Sequence, residues 1–151
     1  MSDRSSLAEA LKRLGVSGRP INRGEVYWVK KEEVILFPNE RLPSHSPPSR
    51  HERRPMLVLQ CDEDNHDPLY PIILVAPLSS RVDLKGRQDF LVEAGEAGLE
   101  RPSIIMLGHI QPILRTDLED ESLGRFTVRR MDEITAALLC NLGVLPRPRA
   151  A

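Results

Sequence analysis

The chain has 151 residues, 40% of them hydrophobic and 28% charged, which is one domain's worth of ordinary globular sequence. With 21 basic and 22 acidic residues the net charge is −1, so no global field draws it to nucleic acid, and any such attraction has to come from a local patch. The start, MSDRSSLAEALKR, lacks the apolar segment of a signal peptide, and no run reaches the ~18 apolar residues of a membrane span, so a cytoplasmic protein is expected.

In chain order, Ser6-Leu7-Ala8-Glu9 fits a capping box, and Leu7, Leu11 and Leu14 repeat at helical spacing until Gly15. This predicts a short amphipathic N-terminal helix followed by a linker, together residues 1–22. Packing on the main domain or extending an interface between copies would each cover its leucine stripe. The period changes at Gly24. Residues 25–29 (EVYWV) and 34–37 (VILF) have strand character. Residues 38–53 carry Pro38, Pro43, Pro47 and Pro48 and are expected to form a long loop, since each proline removes a backbone donor.

Residues 56–61 and 72–77 are continuous apolar runs, the pattern of strands buried on both faces, joined by the polar turn 62–71. Further strands are expected at 89–93, 103–107 and 124–128. Thr127 then caps a helix whose apolar face is Met131, Ile134, Leu138 and Leu142, ended by Gly143, before a frayed tail at 145–151. Short strands with helices at the ends predict an α+β fold around a compact, strongly twisted sheet.

Chemistry concentrates in RHERRPMLVLQCDEDNH, residues 50–66, where a knot of arginine and histidine runs straight into a buried strand. Arg50 and Arg53 suit phosphate positioning, while His51 or Glu52 could move a proton, with His45 a more distant candidate. His66 reads as a solvated turn residue. Asp62, Glu63, Asp64 and Asp67 lack the spacing and glycine of a calcium loop, and no metal or cofactor is expected. Cys61 and Cys140 have no metal-ligand spacing and read as reduced thiols in apolar surroundings. Aromatic residues are 4% of the chain, so base stacking would rest on Tyr27, Trp28 or Tyr70, with Trp28 the better core candidate.

Six stretches in one order resemble the PemK/MazF toxins, bacterial endoribonucleases of toxin–antitoxin pairs. They are Arg23-Gly24-Glu25 with the strand after it, Arg54-Pro55-Met56-Leu57-Val58-Leu59, Asn65, Leu74-Val75-Ala76-Pro77-Leu78-Ser79-Ser80, residues 98–107 (GLERPSIIML), and the run from Leu123-Gly124-Arg125 to Leu142-Gly143-Val144. The resemblance covers residues 23–144. It implies a small SH3-like β-barrel with a C-terminal helix, here with an extra N-terminal helix. It also implies a homodimer, a cognate antitoxin, and metal-independent cleavage of single-stranded RNA by the 2′-OH. Arg54 and Ser79 fall on the family's usual catalytic positions, with His51 added here for proton transfer. Arg50, Glu52, Arg53, Ser80, Arg81, His109 and Gln111 form the expected substrate-binding set.

Such a reaction brings its own nucleophile, so the protein has to move protons and stabilise charge on the phosphorane. A guanidinium does the latter with a two-pronged fork that stays charged at any working pH. Two departures stand out. The proline-rich residues 38–53 replace a glycine-containing loop, and Gly108-His109-Ile110-Gln111 stands where relatives have an acid, then Gln-x-Arg. His109 could take over the missing acid's role. A catalytically silent module of the same fold, acting on a protein partner, is the alternative function, and a nucleic-acid-binding adaptor is a third.

Overall fold

A computed structural model describes Ser6, Glu9, Ala10, and residues 20–36 and 53–149. Ser6, Glu9 and Ala10 are helical. The strands are β1 (Glu25–Lys30), β2 (Arg53–Val58), β3 (Ile72–Ser79), β4 (Asp89–Val92), β5 (Ser103–Met106), β6 (Gln111–Leu114) and β7 (Leu118–Arg125). The helices are the single turn α1 (Asp62–Asn65) and the longer α2 (Val128–Asn141). None among the described residues is long and apolar enough to cross a membrane.

All pairings are antiparallel, in the order β4-β5-β3-β2-β1-β7. The outer edge of β3 is shared: Leu78 and Ser79 pair with β5, and Ile72–Val75 pair with β6. The result is an α+β fold with a seven-stranded sheet that is not closed into a barrel. Alternation along the central strands explains their continuous apolar runs. Val26, Leu57, Ala76 and Leu78 point into one cluster, covered by Met131 and Ile134 of α2. Their neighbours Tyr27, Val29, Met56, Val58 and Val75 point into a second cluster with Ile73, Ile113 and Ile21. Thr127 caps α2 as expected, its hydroxyl accepting from the Arg130 N–H at 3.1 Å.

Of the expected strand 34–37, residues 34–36 are not in a strand and Phe37 lies outside the described residues: a 3-10 turn at Lys31–Glu33 follows β1, and Val34 packs on the second cluster. The last strand lies earlier, at Leu118–Arg125 rather than 124–128. Its sequence, LEDESLGR, shows little apolar alternation because an edge strand with one face in water needs little. Strand β6 was hidden by Pro112, which is tolerated because β6 has a free edge. Leu142 is exposed and adds nothing to the apolar face of α2. The polar turn 62–71 contains α1, and Cys61 is exposed, not set in apolar surroundings.

Sequence patterning also passed over Arg115, which is 2% exposed. Its guanidinium donates to the carbonyls of Asn65 (2.7 Å), Asp67 (3.1 Å), Asp64 (3.2 Å) and Tyr70, closing the turn after α1. Arg115→Met strands these acceptors in a dry site. It is expected to lower the unfolding free energy by about 3 kcal/mol, measured by urea titration.

Candidate active site

The outer ends of β2 and β3 carry the residues expected to do chemistry. Met56 pairs with Pro77, and continuing that register two residues outward sets Ser79 across from Arg54. Arg54 is half-buried, and its Nη1 donates to the Leu78 carbonyl at 3.0 Å. This bond holds the guanidinium against β3 at the residue before Ser79. Burial lowers the Arg54 pKa, as desolvation disfavours a cation, yet an arginine stays charged at working pH. Ser79 is half-buried, and its hydroxyl accepts from the Arg81 N–H at 3.2 Å.

Ser80 and Arg81 are exposed just beyond. Arg81 grips Asp83 with two hydrogen bonds, at 3.0 and 2.8 Å, so the arginine's pKa is raised and the carboxylate's lowered. Any phosphate contact by Arg81 has to compete with that carboxylate.

Arg53 and Arg54 are adjacent, so strand alternation sends them to opposite faces. Arg53 lies over the Trp28 ring, 4.5 Å from its centroid, and bonds Glu119 at 2.7 Å. Both border a shallow groove of about 580 Å³ whose other wall is Glu119, Asp120 and Glu121. Trp28 is therefore a half-buried groove residue and not core. Tyr27 is the reverse: it is 2% exposed, with its hydroxyl on Glu25 at 3.0 Å, and offers no face for stacking.

Gln111 is 7% exposed, beneath the segment that leaves β1. Its Oε1 accepts from the Ile35 N–H (2.7 Å), while Nε2 donates to the carbonyls of Ile35 (2.9 Å) and His109 (3.0 Å). The side chain placed in the substrate-binding set is thus occupied by backbone. His109 is half-buried on the turn between β5 and β6, next to exposed Gly108. His45, Arg50, His51 and Glu52 lie outside the described residues.

At the other end of the sheet, the acidic turn has structural work. Asp62 accepts from the Arg23 N–H at 2.6 Å and the Asn65 amide at 3.2 Å. Burial pushes the Asp62 carboxyl up, but these bonds, with His66 and Arg125 nearby, outweigh it and hold it below the usual range. Asn65 is fully buried and donates to the Gln60 carbonyl at 2.8 Å. His66 is exposed, with its Nε2 2.8 Å from the Asn22 Oδ1.

Chemically, the β2–β3 end offers a pre-aimed guanidinium beside a hydroxyl, at the rim of a rigid sheet. Such a pair can stabilise negative charge on a tetrahedral or phosphorane centre.

Residues 22–142 match the family described as PemK-like, MazF-like toxin of type II toxin-antitoxin system. No curated protein matches the chain by sequence. Among solved structures, the chain is similar to an endoribonuclease in complex with its cognate antitoxin from a mycobacterial species, at 18% identity and TM-score 0.59, over 85% of this chain and 99% of that one. It is also similar to the Mycobacterium tuberculosis toxin MazF-mt6, at 17% identity and TM-score 0.58, over 80% and 98% of the two chains. The MazE-MazF structure from Deinococcus radiodurans is a third, at 16% identity and TM-score 0.58, over 84% and 99%.

Proposed function

Because the chain belongs to the PemK-like, MazF-like toxin family of type II toxin–antitoxin systems, we propose that it is a metal-independent, sequence-specific endoribonuclease acting on single-stranded RNA. The observation that carries this is Arg54, held at the end of β2 by the carbonyl of Leu78, the residue before Ser79. The 2′-OH of one nucleotide attacks its own 3′-phosphate. Its proton leaves to a base, the P–O5′ bond breaks, and the 5′-oxygen collects a proton. The products are a 2′,3′-cyclic phosphate and a 5′-OH.

Arg54 takes up the charge that grows on the non-bridging oxygens, and Ser79 donates a hydrogen bond to one of them. Proton transfer is assigned to His51 or Glu52, which precede Arg54 in the sequence. Arg50, Ser80 and Arg81 hold the flanking phosphates, whereas Arg53, on the opposite face, is spent on Trp28 and Glu119. On this proposal the protein is a cytoplasmic homodimer restrained by a cognate antitoxin.

One observation favours a second reading. Arg53 and Arg81 are each already paired with a carboxylate, which suits a catalytically silent module that docks a protein. Incubating the purified protein with a long unstructured RNA in EDTA, and mapping ends by primer extension, separates the two. Discrete cuts bearing cyclic phosphates are expected. Intact RNA across many sequences, from demonstrably folded protein, would overturn the nuclease.

A further inference from the structure

We propose that Gln111 is a positioning residue for the nuclease site, an inference that rests on the nuclease proposal above. Its amide fixes the backbone at Ile35, just past β1, against the face of the sheet that carries Arg54 and Ser79.

The first support is chemical. Gln111 meets Ile35 as a neighbouring strand would, accepting from its N–H at 2.7 Å and donating to its carbonyl at 2.9 Å. Its second amide hydrogen goes to the His109 carbonyl at 3.0 Å, so both donors are spent on backbone. A buried amide in that state has nothing left for a substrate.

The second support is what holds Ile35 otherwise. Its side chain is 60% exposed, so apolar packing does not pin it. The backbone pair with Gln111 does.

The third is placement. Gln111 sits opposite Val75 in the β6–β3 register, on the face of the second core cluster. Along β3 the same face continues through Pro77, which opposes Met56, to Ser79, next to the Leu78 carbonyl that Arg54 holds. The four residue steps from Val75 to Ser79 span ~13 Å. Val34 packs on this cluster, which includes Val29, and Val29 is the β1 partner of Arg54. The connection that Gln111 holds at Ile35 returns to the sheet at Arg53, one residue before Arg54.

The test uses Gln111→Arg and Gln111→Glu in the full chain. A guanidinium donates five hydrogen bonds and accepts none, so Gln111→Arg cannot receive the Ile35 N–H. Gln111→Glu keeps that acceptor and loses the donors. Two readouts are taken at a temperature where every form is folded: hydrogen exchange at the Ile35 amide, and kcat and KM on an RNA that the wild type cuts. In Gln111→Arg the Ile35 amide is expected to exchange about tenfold faster or more. Its kcat should fall by roughly tenfold or more with KM nearly unchanged, as displacement of a positioned group does. Gln111→Glu should retain the Ile35 protection.

Unchanged protection in Gln111→Arg would overturn the clamp. Lost protection with kcat per folded molecule intact would overturn the positioning role and leave only a structural one. If wild-type protein cuts no RNA, the nuclease proposal itself falls. The exchange data then still decide whether Gln111 holds the connection.

Discussion

Replacing Arg54 by alanine is expected to lower RNA cleavage by about 10²–10³-fold while the protein stays folded, the loss seen when one fixed donor to developing charge is removed. Arg54 is suited to that work because its position is set before substrate arrives. Its Nη1 is tied to the Leu78 carbonyl at 3.0 Å, and its backbone is paired with Val29 on the other side. Little reorganisation is then needed as the phosphorane forms. The cost to stability is about 1.5 kcal/mol, one hydrogen bond from a charged group. Arg54→Lys keeps a cation but loses the fork, so it should recover only part of the rate. Cleavage assays in EDTA, with circular dichroism to verify the fold, check both. Normal cleavage by Arg54→Ala would mean that the active site lies elsewhere.

Gly98→Ala is expected to be the most destabilising small substitution, at roughly 3 kcal/mol, from two penalties acting together. Gly98 has φ +74, where an L side chain is strained, and a Cβ there would run into the Leu123 carbonyl oxygen. From the opposite side, a Cβ on Gly124 would lie 2.5 Å from the Ala97 carbonyl carbon. The turn at Glu96–Gly98 thus lies backbone to backbone on β7, which is itself held in the sheet by its pairing with β1. A loss of this size should lower the melting temperature by about 10 °C, read by calorimetry. Gly95→Ala is the control. Gly95 also has a positive φ, of 90°, but no atom lies within 4 Å of where its Cβ would be, so it should cost only the conformational part.

Several features are legible in the sequence alone. Continuous apolar runs at 56–61 and 72–77 identified the central strands; burial on both faces holds along residues 56–58 and 75–78, while Ile72 and Leu74 stay exposed. Thr127 and Gly143 marked the ends of the last helix through local hydrogen bonding and a φ of +77 at Gly143. Glycines at 98 and 124 were visible as parts of two separate motifs, but their meaning was not, because the reason for each is the other.

The edge elements were the hard ones. β7 faces water on one side and β6 contains a proline, so neither shows the periodicity on which strand recognition depends. Arg115 reads as a surface charge in any window of neighbours. Only the fold brings the Asp64, Asn65, Asp67 and Tyr70 carbonyls to it, across some fifty residues of chain.

The candidate site divides in the same way. Local sequence determined that a cation and a hydroxyl would stand at strand ends, because Arg54 opens one apolar run and Ser79 closes another. Their approach to each other was decided by the β2–β3 register, a pairing between segments over twenty residues apart. Tertiary structure alone also decided the fates of Arg53, turned to the opposite face onto Trp28 and Glu119, and of Gln111, spent on Ile35. The physical reason is range. Propensity, capping and burial patterns act over a few residues and survive in the sequence, whereas a hydrogen-bond partner is chosen by which distant backbone the folded sheet delivers.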